Sequence, residues 1–317
     1  MLSGRAAGIA VATATVVLAT LATEARAAPR AATPKCFGAA ARDPRHPCVN
    51  ARLRRSVVPS PAKARSRRNA PCTFVENREP IHVCAFGVPV AEAKGTMALV
   101  GDSHASHWRA ALEVVAQAKQ WRGLSITQTS CPLSKAVRRL EEAARFKQCV
   151  RWRRSVYRWF RDHPQVSTVV VAQLSGGLGI RTRRRDKFAA AVDGYVAAWR
   201  ALPRSVKRIV VLRDTPKAEK STFGCIRRAM ARRRPAGPAC ANRRELVLSR
   251  DPAIVAAARA RSRRVRAVDL TRFFCGRRVC YPVIGGVLVN KDLTHITAVF
   301  GATLGPYLLR RINALGL

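Results

Sequence analysis

Acidic side chains are scarce in this chain of 317 residues: 18 Asp and Glu stand against 59 Lys and Arg, for a net charge of +41. A field of that sign draws in polyanions. Aromatic residues are also few, at 6%. The basic runs (Arg65 to Arg68, Arg151 to Arg154, Arg181 to Arg185, Arg232 to Arg234, Arg261 to Arg266) therefore carry little aromatic interleaving. No helix-turn-helix, zinc-finger or aromatic RNA-binding signature accompanies them, which argues against nucleic acid as the partner. For an exported chain the fitting anions are envelope polymers with phosphates or uronic acids, or anionic lipid head groups. The plain alternative is a solvated surface whose Arg and Ala content reflects a GC-rich genome.

Long hydrophobic runs are missing beyond the N-terminus. Arg5, the apolar stretch Ala6 to Ala22 and the small-x-small site Ala25-Arg-Ala27 follow the order of a secretory signal, so residues 1–27 are expected to be removed. A retained anchor is the alternative, since the stretch approaches the roughly 17–20 residues of a membrane span. Its Ala- and Thr-rich composition favours cleavage and a secreted or envelope-associated, extracytoplasmic location. Cys-x-x-Cys is absent and the six histidines are not spaced as zinc ligands, which argues against a metal site. Ten cysteines behind a signal instead imply an oxidising compartment and five disulfides. Connectivity stays open from sequence, yet the spacing falls into neighbouring couples: Cys36 with Cys48, Cys72 with Cys84, Cys131 with Cys149, Cys225 with Cys240, Cys275 with Cys280.

What is present centres on Met97-Ala-Leu-Val-Gly-Asp-Ser-His104. An apolar strand-like run stops at Gly101, and a helical pattern begins just beyond it with Ala105, Trp108, Leu112 and Val115. Ser103 thus sits on a strand-to-helix turn. Its hydroxyl is presented above the sheet edge, and its own N–H lies at a helix N-terminus that can hold a developing oxyanion. Asp102 or Ser103 would also cap the helix without any chemistry. Near the other end stands Asp292-Leu-Thr-His295. A carboxylate three residues before an imidazole can bond one ring nitrogen and leave the other free to take a serine proton. Each block alone is ordinary, but together they describe a nucleophile and its base.

With these blocks the chain resembles the SGNH (GDSL-type) hydrolase superfamily, and more closely the SGNH domain fused behind membrane-embedded acyltransferases that O-acylate cell-surface glycans. Gly101-Asp-Ser-His-Ala105 with Trp108, Ser130-Cys-Pro132, Val210 to Pro216 followed by Cys225, Cys275 with Cys280, and Asp292 to His295 carry the resemblance, over about 96–317. It implies a serine acyltransferase or esterase, with Ser103 as nucleophile, His295 as base and Asp292 as its orienter, acting on acyl groups, acetyl being favoured, of envelope carbohydrate without a cofactor. With no further membrane span expected, the acyl donor would come from a separate membrane partner. The superfamily's oxyanion-hole Gly and Asn after the second and third strands are not plainly matched. Ser103 N–H is the firm donor, and Gln173 by its side chain or a backbone N–H near Ser175 to Gly177, centred on Gly176, are the candidates to join it. His104 and His107 are rival bases, set aside because His104 would point away along the turn, His107 lies one helical turn on, and the resemblance implies the Asp-x-x-His pair. A different class stays open: a catalytically idle polyanion- or glycan-binding protein on this scaffold.

Strands and helices alternate without internal repeat. The expected architecture is a three-layer α/β/α sandwich with a mostly parallel central sheet, flavodoxin-like and stapled by disulfides. Residues 28–95 read as a Pro- and Arg-rich lead-in with a disulfide loop, and 96–317 as the catalytic domain. Predicted strands cover 97–100, 124–129, 168–172, 209–213 and 265–270. Predicted helices cover 105–120, 138–160, 187–202, 252–260 and 298–312. The Trp152, Val156, Trp159 stripe reads as core.

Overall fold

Strict alternation along the apolar runs builds the sheet. Met97 and Leu99 enter one hydrophobic cluster while Ala98 and Val100 enter another, and Val169 to Ala172 and Ile209 to Leu212 divide the same way. Successive side chains of a strand point to opposite faces, so each of these strands is covered on both sides. The computed structural model describes Met1 and residues 32–46, 48–136, 143–176 and 179–317. The expected signal segment lies outside the described residues apart from Met1. Pro34–Leu317 form one compact unit.

Seven strands make the main sheet: β1 (Thr73–Arg78), β2 (Ile81–Gly87), β3 (Gly95–Gly101), β4 (Trp121–Thr127), β5 (Thr168–Ala172), β6 (Arg208–Leu212) and β7 (Val265–Val268). Their order is β1-β2-β4-β3-β5-β6-β7. The last five neighbours in that order run parallel, and β2 joins β4 antiparallel, as does β1 to β2. On one face lie α1 (Ser103–Lys119) and, at the end of the chain, the helix Ala298–Asn313. The other face carries α2 (Ala143–Asp162), α3 (Lys187–Arg200) and α4 (Pro252–Arg259), which makes the C-terminal helix α5. The mostly parallel α/β/α sandwich is the one expected, and all five cysteine couples stand as disulfides.

Two elements differ from expectation. The sheet starts inside the lead-in, because the Cys72–Cys84 segment is a hairpin whose second strand pairs with β4. The second parallel strand begins at Trp121, not Leu124: its first residues, Trp121-Arg-Gly, lack an apolar run but are all registered against β3, and Arg122 and Gly123 against β2 as well. Residues 137–142, the start of the expected helix at 138, lie outside the described residues. Trp152 and Trp159 are buried in the core.

One packing feature decides where the site forms. Helices α1 and α5 lie close enough that a Cβ on Gly305 would come within 2.4 Å of Val114 Cβ. Small residues permit such an approach. It keeps the starts of both helices, one carrying Ser103 and the other preceded by His295, at the same edge of the sheet.

Candidate active site

Gly101 ends β3 with φ +153°, and a side chain there would strike the Ala172 carbonyl oxygen at 1.9 Å. The chain can therefore turn tightly against β5 only with glycine at this position. Asp102 follows as the N-cap of α1, accepting the His104 N–H at 2.9 Å and the Leu174 N–H at 3.1 Å. It thereby ties the turn to the segment after β5. Burial pushes its carboxyl above the ordinary range, against the opposing pull of His104 and these amides.

Ser103 is the first residue of α1 and half-buried. First-turn amides have no carbonyl partner inside the helix, so its N–H is free to face a substrate oxygen. His295 Nε2 stands 2.9 Å from Ser103 Oγ. On its other side His295 Nδ1 lies 2.9 Å from both oxygens of Asp292. With Nδ1 donating to the carboxylate, Nε2 is the acceptor and the serine hydroxyl the donor. Asp292 Oδ1 also accepts the N–H groups of Thr294 at 2.9 Å and His295 at 2.8 Å. Although burial works against it, these bonds hold the Asp292 carboxyl down at about 2. The turn is closed by Lys291 N–H to His295 O at 2.9 Å and Thr297 N–H to Val289 O at 2.7 Å, after which Thr297 caps α5.

Behind this trio lies a buried polar chain of which sequence reasoning saw only parts. His104 Nδ1 donates to Asp214 Oδ1 at 2.6 Å, and Asp214 Oδ2 accepts both the N–H and the hydroxyl of Ser175, at 2.7 and 2.9 Å. Asp214 N–H in turn donates to Asp251 Oδ2 at 2.9 Å, while Asp251 Oδ1 caps α4 through Ala253 N–H. Burial, with help from the Asp214 charge, raises the Asp251 carboxyl to about 6. The His104 ring is 4.8 Å, centre to centre, from both His107 and His295. Burial lowers its basicity, but the Asp214 carboxylate more than offsets this and leaves it raised; His107, fully enclosed and beside His104 and His295, is held well below the ordinary value. His104 is committed to Asp214, and among the described residues it is His295, not His104 or His107, that bonds Ser103 Oγ.

The residues expected as further oxyanion donors differ in what they already bond. Ser175 N–H and Leu174 N–H are spent on Asp214 and Asp102. Gln173 follows β5 directly at the same sheet edge, is buried, and has neither amide atom partnered among the described residues. Gly176 packs against Lys217 and Ser249. The rest of the expected backbone alternative, Gly177, lies outside the described residues. Among the described residues one group could hold a metal ion, His104, His107 and Asp214, whose ligand atoms lie within 4.8 Å of one another. Two of these three groups, His104 Nδ1 and Asp214 Oδ1, are bonded to each other at 2.6 Å.

The sequence profile of the SGNH domain found fused to AT3 domains matches residues 71–310. The chain belongs to the SGNH family. This SGNH domain also resembles, in fold, a solved structure described as the periplasmic domain of a lipopolysaccharide acetyltransferase from Salmonella ser. Paratyphi A. The TM-score is 0.53 at 12% identity, covering 72% of this chain and 90% of that one. No curated protein matches it in sequence. Among the described residues of this SGNH domain no helix is long and apolar enough to cross a membrane.

Proposed function

We propose that this SGNH domain is an exported serine enzyme that moves acyl groups, acetyl foremost, onto or off envelope carbohydrate. The observation that carries the reading is the unbroken line from Asp292 through His295 to Ser103 Oγ, with both links at 2.9 Å. His295 Nε2 takes the Ser103 proton as Oγ attacks the acyl carbonyl. The tetrahedral oxyanion is held by Ser103 N–H, with the Gln173 side-chain amide as second donor and Gly176 as the backbone alternative. Asp292, ionised at any pH well above 2, stabilises the imidazolium. His295 then returns the proton to the departing oxygen, leaving an acyl-enzyme ester on Ser103. A sugar hydroxyl or water attacks that ester in the second half, giving the new ester or the free acid and restoring Ser103. Support for carbohydrate comes from the family's fusion to AT3 domains and from the lipopolysaccharide acetyltransferase whose periplasmic domain shares the fold.

The test is trapping with p-nitrophenyl acetate followed by intact mass. A burst and an acetyl adduct on Ser103 are expected, both abolished in Ser103→Ala and His295→Ala. Asp292→Asn should slow acylation by on the order of 10³- to 10⁴-fold, as loss of the orienting carboxylate does in serine triads. No adduct on the parent chain would overturn the enzyme reading in favour of a glycan-binding protein.

A further inference from the structure

Arginine is not spread evenly over the surface of this SGNH domain. Two adjoining clefts, of about 1150 and 810 Å³, share Arg244 and Arg277 in their walls. Together they are lined by eleven arginines and three carboxylates. Each carboxylate is already taken: Asp43 by Arg310 at 2.9 Å, Asp269 by Arg213 at 3.5 Å, and Glu245 by Arg243. Arg272, Arg277, Arg278 and Arg311 are exposed and make no ion pair or side-chain hydrogen bond among the described residues.

The clefts also have a definite place relative to Ser103. One is walled by Arg213, at the carboxyl end of β6, and by Ser249 and Arg250, just before α4. The other begins at Asp269 to Phe273, at the carboxyl end of β7, and runs along the last turns of α5 to Arg311. The sheet order β3-β5-β6-β7 puts β6 and β7 roughly 10 and 14 Å from β3 at a spacing of about 4.8 Å per strand. Arg213 immediately precedes Asp214, which bonds His104 beside Ser103. Ser249 borders Gly176, on the loop that follows β5. The arginine wall therefore starts at the rim of the candidate active site and leads away from it around the edge strand.

We propose that this wall is the binding site for an extended polyanion, a carbohydrate or polyol chain bearing phosphates or carboxylates at intervals, whose acylated segment reaches Ser103. That role for the bound chain rests on the acyl-transfer reading; the binding itself does not. Guanidinium forks bind either anion bidentately, and a line of unmatched forks selects a repeated charge over a single one.

The test measures binding of poly(glycerol phosphate), polygalacturonate and neutral dextran to the Ser103→Ala chain, in which acyl turnover is absent, across a range of salt. Arg272→Ala/Arg277→Ala in that background removes two unpaired cleft charges. Arg151→Ala/Arg154→Ala removes two exposed charges from α2 on the other face. The cleft pair should weaken binding of at least one polyanion about tenfold or more and flatten its log–log salt dependence by roughly 1.5, the release expected of two lost contacts. The α2 pair should change it less than threefold, and dextran should not bind. The stronger polyanion identifies the anion. Equal losses from the two pairs, or tighter binding of a single-stranded oligonucleotide than of either polymer, would overturn the proposal. If trapping fails while the cleft pair alone loses binding, the binding site stands and the enzyme reading falls.

Discussion

Asp292 and Asp251 are the same residue type set to opposite ends of the carboxyl range, and burial weighed against hydrogen bonding explains both. Asp292 is partly open to solvent and accepts two amides and an imidazole, so its carboxylate is favoured and lies at about 2. Asp251 is enclosed, and although it accepts two amides its charge sits beside that of Asp214, so it rises to about 6. For Asp251 the sign follows from the raised value. The folded state binds the proton more tightly than the unfolded chain, so this contribution to stability is whole below the ordinary carboxylate value and is lost as pH rises through about 6. Asn at this position does not titrate and still caps α4. Asp251→Asn should therefore gain stability relative to the parent between pH 4 and pH 7, by up to about 3 kcal/mol for a shift of this size. Urea unfolding of both proteins at the two pH values reads the difference. A gap that stays constant with pH would mean that Asp251 does not titrate in the folded protein.

The hairpin β1–β2 extends the parallel sheet on its β4 side. It supplies the antiparallel neighbour of β4, through pairs from Cys84 with Ser125 to Gly87 with Arg122, and covers what would otherwise be a sheet edge. A chain begun at residue 96 exposes that edge, and an uncovered apolar strand is a template for aggregation. Such a chain should be largely insoluble or scatter light on refolding, whereas one begun at Pro34 should stay in solution as the parent does. A soluble, cooperatively unfolding 96–317 chain would show that the hairpin is dispensable. The same hairpin shows where sequence reading thins out. The strand before Ser103 and the Asp292 to His295 turn are legible because both are local: an apolar run, a glycine, a cap, an i,i+3 carboxylate and imidazole. β1, Thr-Phe-Val-Glu-Asn-Arg, is exposed at nearly every position and gives no such pattern. The His104–Asp214 bond spans 110 residues and exists only through burial, so neither residue's neighbours announce it. Asp251-Pro252 carries an N-cap signal, Asp followed by Pro at the first helical position, but nothing in it points toward Asp214.

Across the molecule the charge has a cost for folding that the sequence already implies. With a net charge of +41, like charges crowd together when the chain compacts, and few carboxylates are available to relieve them. Where guanidinium groups are partly buried the problem is handled locally: Arg109 and Arg264 spend guanidinium hydrogens on backbone carbonyls, Ala70 O at 2.7 Å and Pro203 O at 2.6 Å, and burial lowers both from the ordinary arginine value. At the surface, and above all along the cleft walls, the repulsion is left to counter-ions. Simple salt should then stabilise the fold. Raising NaCl from about 10 mM to 150 mM shortens the Debye length from roughly 30 to 8 Å and screens charges held further apart than that. The melting temperature should rise by about 3 °C or more over this interval, equivalent to roughly 1 kcal/mol in a domain of this size. The Arg272→Ala/Arg277→Ala chain should melt higher than the parent at low salt and converge with it at high salt, because it lacks two of the unmatched charges. Differential scanning fluorimetry over a salt series decides it. A melting temperature indifferent to salt would mean that the arginines are too well dispersed and hydrated to repel one another, and the crowding argued for the cleft walls would fail with it.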